Sequence, residues 1–131
     1  MTYRVAAFST GGVGRFAIRA IARRADLDLV GVWVHSPEKA GVDAGVLAGI
    51  DPIGLSATND FEAILALEPD CVCFSAADRT GDAATAMIAR ILGSGINVVT
   101  VSLPPLIYPP GVPPQMREPL AAAAAKGNAT L

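Results

Sequence analysis

Tyr3-Arg-Val-Ala-Ala-Phe8 runs straight into the turn Ser9-Thr-Gly-Gly-Val-Gly14, and that turn opens onto Arg15-Phe-Ala-Ile-Arg-Ala-Ile21. A strand, a glycine turn and a helix in this order constrain the chain more than any other stretch. The order aims a helix N-terminus, with its unpaired amides and positive dipole end, at whatever lies beyond the strand. Gly11 lets the backbone approach a diphosphate closely, and Gly14 lets helix pack tightly on strand. The dinucleotide fingerprint is Gly-x-Gly-x-x-Gly, and here Ser9 stands in the first glycine's place. Expected ligand contacts are Ser9, Thr10, Gly11, Gly12, Val13 and Gly14, and a purely structural turn is the alternative. Arg15 joins them, because a cation in the first helical turn opposes the dipole unless an anion sits beside it. Arg19 and Arg23 follow at four-residue spacing and read as a solvated stripe.

Beyond the first helix the pattern alternates. Leu29–Val34, Cys71–Ser75 and Ile96–Val101 are continuous apolar runs, the signature of strands buried on both faces. Between them, Asn59–Leu67 reads as a helix with Asn59 as N-cap and Glu62 three residues on, and Gly81–Leu92 as a helix stopped at Gly93 or Gly95. After a proline-rich loop, Gln115–Lys126 reads as an alanine-rich helix that ends at Gly127. Gly41, Gly45 and Gly49 read as a close-packed turn beside the second strand. The expected fold is α/β, a Rossmann-type doubly wound parallel sheet with helices on both faces. Ligands in such sheets lie beyond the carboxyl ends of the strands, near the point where strand order reverses. This selects residues 9–14, 35–39, 75–80 and 102–114, with Ser75, Ala76, Ala77 and Ser102 as further cofactor contacts.

The end of the second strand reports the cofactor. An Asp or Glu there would bond a ribose 2′-hydroxyl. The chain has His35-Ser-Pro-Glu-Lys39 instead, while Asp28 precedes the strand and belongs at the opposite edge of the sheet. Ser36 can bond a 2′-phosphate, and Lys39 and His35 can neutralise it, so NADP(H) is favoured. Glu38 keeps NAD(H) open.

Composition narrows the class. The 131 residues suffice for one domain with a real core, 52% are apolar, and the net charge of −2 leaves no electrostatic footprint for nucleic acid. No apolar run reaches the roughly 18 residues of a membrane span, and the strand and glycine turn leave no room for a signal peptide. Cys71 and Cys73 read as buried free thiols of a cytoplasmic protein, and with His35 they are too few to hold a metal. A phosphate-loop hydrolase is excluded, since no Gly-Lys-Ser/Thr occurs. A short-chain dehydrogenase ranks low, because Phe16 stands where its turn needs glycine and no Tyr-x-x-x-Lys follows. A methyltransferase stays open on fold alone.

The Ser9–Arg15 turn, Val30-Gly-Val-Trp-Val-His-Ser-Pro-Glu-Lys39, Gly41-Val-Asp-Ala-Gly45 with Leu47-Ala-Gly49, and Pro69-Asp-Cys-Val-Cys73 together resemble the N-terminal domain of dihydrodipicolinate-reductase-like proteins. The nearer branch is similar to 2,4-diaminopentanoate dehydrogenase and the native amine dehydrogenases. The resemblance implies an NAD(P)-dependent oxidoreductase working on a carbonyl, imine or amine. It also implies a C-terminal domain that closes the substrate cavity and builds a homo-oligomer, with Ala129-Thr-Leu131 as the start of a further strand. Two departures stand out: Ser9 replaces glycine, and the loop from Ser102 to Pro114 carries no acid. Tyr108 is that loop's one titratable hydroxyl and the only candidate acid, although a packing role near the nicotinamide suits it better. A non-catalytic NAD(P)-binding regulatory or redox-sensing module is the alternative function.

Overall fold

The computed structural model describes all of Met1–Leu131. Its elements in chain order are β1 (Tyr3–Phe8), α1 (Gly12–Ala22), β2 (Leu27–Trp33), α2 (Ala44–Leu47), α3 (Phe61–Ala66), β3 (Cys71–Phe74), α4 (Asp82–Gly93), β4 (Asn97–Thr100) and α5 (Pro114–Gly127). The strands form one sheet of order β2-β1-β3-β4, all parallel. This is the expected Rossmann-type α/β fold. Strand order reverses between β1 and β3, so a crevice opens where Phe8 and Phe74 end.

Each face of the sheet meets different partners. Ala6, Phe8, Val72, Phe74 and Val98 point to the side covered by α3, α4 and α5, where Ile64, Ile88, Ile91, Leu92 and Leu120 close the larger core. Phe8 anchors it, with its ring 5.3 Å from Trp33, 5.5 Å from Phe74 and 5.7 Å from Phe61. Burying such a side chain contributes about 1.5–3 kcal/mol. At the far end of this layer, a Cβ on Gly127 would run into the Leu92 carbonyl, so glycine there lets α5 close on α4.

The opposite face is only half covered. Ala7, Val32 and Val34 pack under Ile18 of α1 and under Ala44, Ala48 and Ala57. No helix of the chain covers β3 and β4 on this side. Val99 and Val101 are 62% and 64% exposed, and a groove of about 600 Å³ runs between α1 and the strands, lined by Val5, Ala17, Cys71, Cys73 and Val99. The two thiols are therefore half-buried groove walls, not core groups. Burial still holds both above the ordinary thiol range, and for Cys71 the neighbouring Cys73 adds to the effect, so both remain protonated at neutral pH. The free edge of β4 is also apolar, with a second groove of about 800 Å³ between it, α5 and the proline-rich loop.

Several local expectations need correction. Asp60, not Asn59, caps α3, since its carboxylate accepts the Ala63 N–H at 3.2 Å. Both residue types can cap, and the path of entry from Thr58 selects the second. β2 begins at Leu27 and includes Asp28, because Tyr3 and Arg4 pair with both residues; Asp28 still lies at the amino end of the strand. Arg19 is not a free surface cation: Nε donates to the Ala48 carbonyl at 2.5 Å and the guanidinium lies 5.4 Å from the Phe16 ring. It straps α1 to α2. Residues 129–131 form no strand, although the Thr130 carbonyl accepts the Val98 N–H at 2.9 Å beside β4. No helix is long and apolar enough to cross a membrane.

Candidate dinucleotide site

All four segments singled out by the topology leave carboxyl ends of strands, which stop at Phe8, Trp33, Phe74 and Thr100. Three of them enclose one cavity of about 350 Å³. From the glycine turn come Ser9, Thr10 and Gly11, from the turn after β2 come His35, Ser36 and Lys39, and from the turn after β3 come Ala76 and Ala77. That volume lies at the small end of small-molecule sites and suits a nucleoside.

The glycine turn is held tightly. Ser9 keeps its N–H in the ladder, donating to the Trp33 carbonyl at 2.9 Å, then turns with φ of +92°. Its hydroxyl accepts the Gly11 N–H at 3.2 Å. Gly11 is the N-cap of α1, and the amides of Gly12, Val13 and Gly14 donate to no group of the chain. Gly14 is buried against the Ser9 carbonyl: a Cβ there would overlap that oxygen, lie 2.6 Å from its carbon and 3.1 Å from Ser75 Oγ. Gly11 faces open space beside the cavity, where a Cβ would meet only Ser9 Oγ at 3.6 Å. One glycine serves packing and the other leaves open space beside the cavity.

Lys39 reaches across the cavity mouth, and its ammonium donates to Thr10 Oγ1 at 3.2 Å. Thr10 is buried, so this contact ties the turn after β2 to the glycine turn. Ser36 opens the short 3-10 turn Pro37–Lys39, and His35 is exposed with its ring 6.0 Å from Trp33. Val13 and Arg15 are exposed on α1, outside the cavity lining. Ser75 and Ser102 do not line the cavity. Ser75 Oγ donates to the Phe8 carbonyl at 3.1 Å and fastens β1 to β3, while Ser102 Oγ reaches the Phe74 carbonyl at 3.4 Å. Tyr108 is 69% exposed and packs beside Gly111 in the proline-rich loop, away from the cavity. No three His, Cys, Asp or Glu side chains converge in a manner suited to a metal.

The lining also includes residues that motif reasoning passed over: Trp33, Asp78, Ala83, Ala84 and Met87. Asp78 lies inside the segment 75–80, but only the path of the turn reveals its task. Its carboxylate accepts the Ala84 N–H at 2.9 Å and the Thr80 N–H at 3.2 Å, closing the start of α4. Those bonds, the Ala84 amide first, hold its carboxyl below the usual range. Asp43 is lowered likewise by the amides of Ile53, Gly54 and Gly45. A depressed carboxyl stabilises the fold fully above its unfolded value of about 4 and loses that effect as pH falls through the lower folded value. Acid titration followed by circular dichroism should therefore show a loss of thermal stability only below about pH 4. Asp78→Asn and Asp43→Asn should each flatten that dependence.

Comparison with known proteins fits this geometry. No family model matches the chain. An amine dehydrogenase from Streptomyces virginiae is 43% identical over 126 residues, which is 95% of this chain and 35% of that protein. Over nearly its whole length the chain is similar to one end-to-end portion of an amine dehydrogenase, about a third of that protein. A 4-hydroxy-tetrahydrodipicolinate reductase from Synechococcus elongatus is 41% identical over 59 residues, 45% of this chain and 22% of that protein. The solved amine dehydrogenase from Mycobacterium smegmatis superposes with a TM-score of 0.88 at 25% identity, covering 100% of this chain and 38% of that one. The chain thus spans about a third of the amine dehydrogenases it matches. The dihydrodipicolinate-reductase-like resemblance, in its amine dehydrogenase branch, is real.

Proposed function

We propose that residues 1–131 are the nicotinamide-dinucleotide-binding domain of an NAD(P)-dependent oxidoreductase that acts at a carbon bearing nitrogen or oxygen, as the names of its relatives suggest. One observation carries this reading. The free first-turn amides of α1 and the 350 Å³ cavity lie side by side at the β1/β3 switch point. Such a donor set fits a dinucleotide: three unpaired N–H groups at a helix N-terminus for the diphosphate, with an apolar wall of Ala83, Ala84 and Met87 for the base. Gly12, Val13, Gly14 and Arg15 would hold the diphosphate, and Thr10, Ser36, His35 and Lys39 the adenosine ribose side. When bound, the nicotinamide supplies or accepts a hydride. The residues of this chain orient it, and the exposed loop from Ser102 to Tyr108 borders the place where a carbonyl, imine or amine substrate would approach.

The half-bare sheet supports the companion proposal of a second domain. Parallel sheets are almost always covered on both faces, yet Cys71, Cys73, Val99 and Val101 have no helix over them. A further domain would cover them, close the substrate cavity and provide the contacts of a homo-oligomer. Free thiols suit a reducing, cytoplasmic setting. The relatives' names as dehydrogenases and reductases favour an enzyme over a regulatory module.

NADP(H) is the favoured cofactor, because the turn after β2 offers a hydroxyl and cations where an NAD site would place a carboxylate. Isothermal titration of Lys39→Ala tests this. The variant should bind NADPH more weakly by roughly 1–3 kcal/mol, the range for a charge-assisted hydrogen bond, and spare NADH. Equal losses for the two would put the ammonium on the diphosphate, next to its present partner Thr10.

A further inference from the structure

Two polar side chains are buried in this protein, Thr10 and Thr85. Thr85 is satisfied at the start of its own helix, where its hydroxyl donates to the Gly81 carbonyl at 2.6 Å. Thr10 is different. It is 6% exposed in the cavity wall, and its one side-chain partner is the Lys39 ammonium, which donates to Oγ1 at 3.2 Å. A buried hydroxyl without a partner is costly, so a cation from another segment is what satisfies this one.

The contact also fixes a charge. Lys39 is half-buried and belongs to neither of the chain's ion pairs, which are Arg24–Asp26 and Arg90–Glu62. Of the other charged or titratable groups around the cavity, His35 is exposed, and the Asp78 carboxylate is engaged by the amides of Thr80 and Ala84. A lysine stem ordinarily leaves its ammonium free to wander, and ordering it on binding weakens the contact it makes. Here a neutral oxygen holds the ammonium beside the cavity and leaves its charge unneutralised. We infer that Thr10 is a positioning residue for cofactor selectivity: its buried hydroxyl fixes the Lys39 ammonium, so an anionic group on the ribose side meets a cation already in place. This rests on the dinucleotide reading above and deepens it, since the turn after β2 then discriminates only as well as Thr10 lets it.

Calorimetric titration with NADPH and NADH reads the effect in Thr10→Val, Thr10→Ser, Lys39→Ala and the double variant of Thr10→Val with Lys39→Ala. Valine keeps the shape and loses the oxygen, so the preference for NADPH over NADH should fall by about three- to tenfold, the range that one net hydrogen bond spans. Thr10→Ser keeps the oxygen and should keep the preference. In the Lys39→Ala background, Thr10→Val should lower the preference no further, because it acts through the ammonium. Limited acetylation of the ligand-free chain, read by mass spectrometry, reports the contact itself. The chain has two lysines, and the exposed Lys126 serves as internal reference. Relative to Lys126, Lys39 should react slowly in the wild type and in Thr10→Ser, and faster in Thr10→Val. Equal losses for the two cofactors, or a further fall in preference in the double variant, overturn the positioning role. Equal labelling of Lys39 in wild type and Thr10→Val overturns the contact. If Lys39 labels as expected but the folded wild type binds neither cofactor, it is the dinucleotide reading that has failed, and the selectivity role goes with it.

Discussion

Gly14→Val is expected to leave little folded protein, whereas Gly11→Val folds normally and loses its ligand. The two glycines lie three residues apart in one turn, so the contrast isolates geometry from chemistry. At position 14 any Cβ runs into the Ser9 carbonyl and crowds Ser75 Oγ, and both groups are pinned by the β1 and β3 ladders. Neither can retreat without parting α1 from the sheet. The cost should reach about 3 kcal/mol or more, above the usual range for an overpacked core, because the clash is with backbone. At position 11 the nearest atom is a hydroxyl at 3.6 Å, and φ of −72° suits any residue. Valine there projects beside the cavity and should cut dinucleotide affinity by at least about 100-fold, or about 2.8 kcal/mol at 1.4 per decade. Thermal unfolding and calorimetry on the same two samples read both effects. Equal damage to stability by both would deny Gly11 a ligand-facing role.

The second large effect concerns turnover. Residues 1–131 should show no measurable NAD(P)H-dependent reduction of imines or ketones. Hydride transfer needs donor and acceptor carbons held near contact in a cavity that excludes water. The one titratable hydroxyl of the proline-rich loop belongs to Tyr108, which is 69% exposed and lies away from the cavity. A polypeptide that continues into a second domain should turn over substrate. Val99→Glu sharpens the comparison. In the 131-residue chain this exposed position should tolerate the charge within about 0.5 kcal/mol. In a polypeptide that carries the proposed second domain, the same charge would be buried beneath that domain and should abolish assembly and activity together. Robust turnover by the short chain, lost in Tyr108→Phe, would instead put the catalytic acid in the proline-rich loop.

Much of this architecture is written plainly in the sequence, for definite reasons. Buried parallel strands need largely apolar runs, so Leu29–Val34, Cys71–Ser75 and Ile96–Val101 announce themselves. The strand-to-helix glycine turn is legible because only glycine satisfies the approach at Gly14. Contacts made by loops stay hidden until their path is known. Lys39 reads from sequence as a partner for a 2′-phosphate, and only the course of the turn after β2 brings it to Thr10. Arg19 reads as solvated because its partner, the Ala48 carbonyl, lies in an element too short for periodicity to reveal. Asp78 and Met87 escape for a related reason. One is an acid inside a polar turn and the other an apolar residue on a helix, and neither type signals a ligand by itself.

Calorimetric titration of the wild-type chain with NADPH and with NADH tests the central claim most directly, with Gly11→Val as the folded control. Saturable one-to-one binding of both is expected, tighter for NADPH, with none in the Gly11→Val protein. A folded wild-type chain that binds neither cofactor, or a Gly11→Val protein that binds both as well as the wild type does, would contradict it.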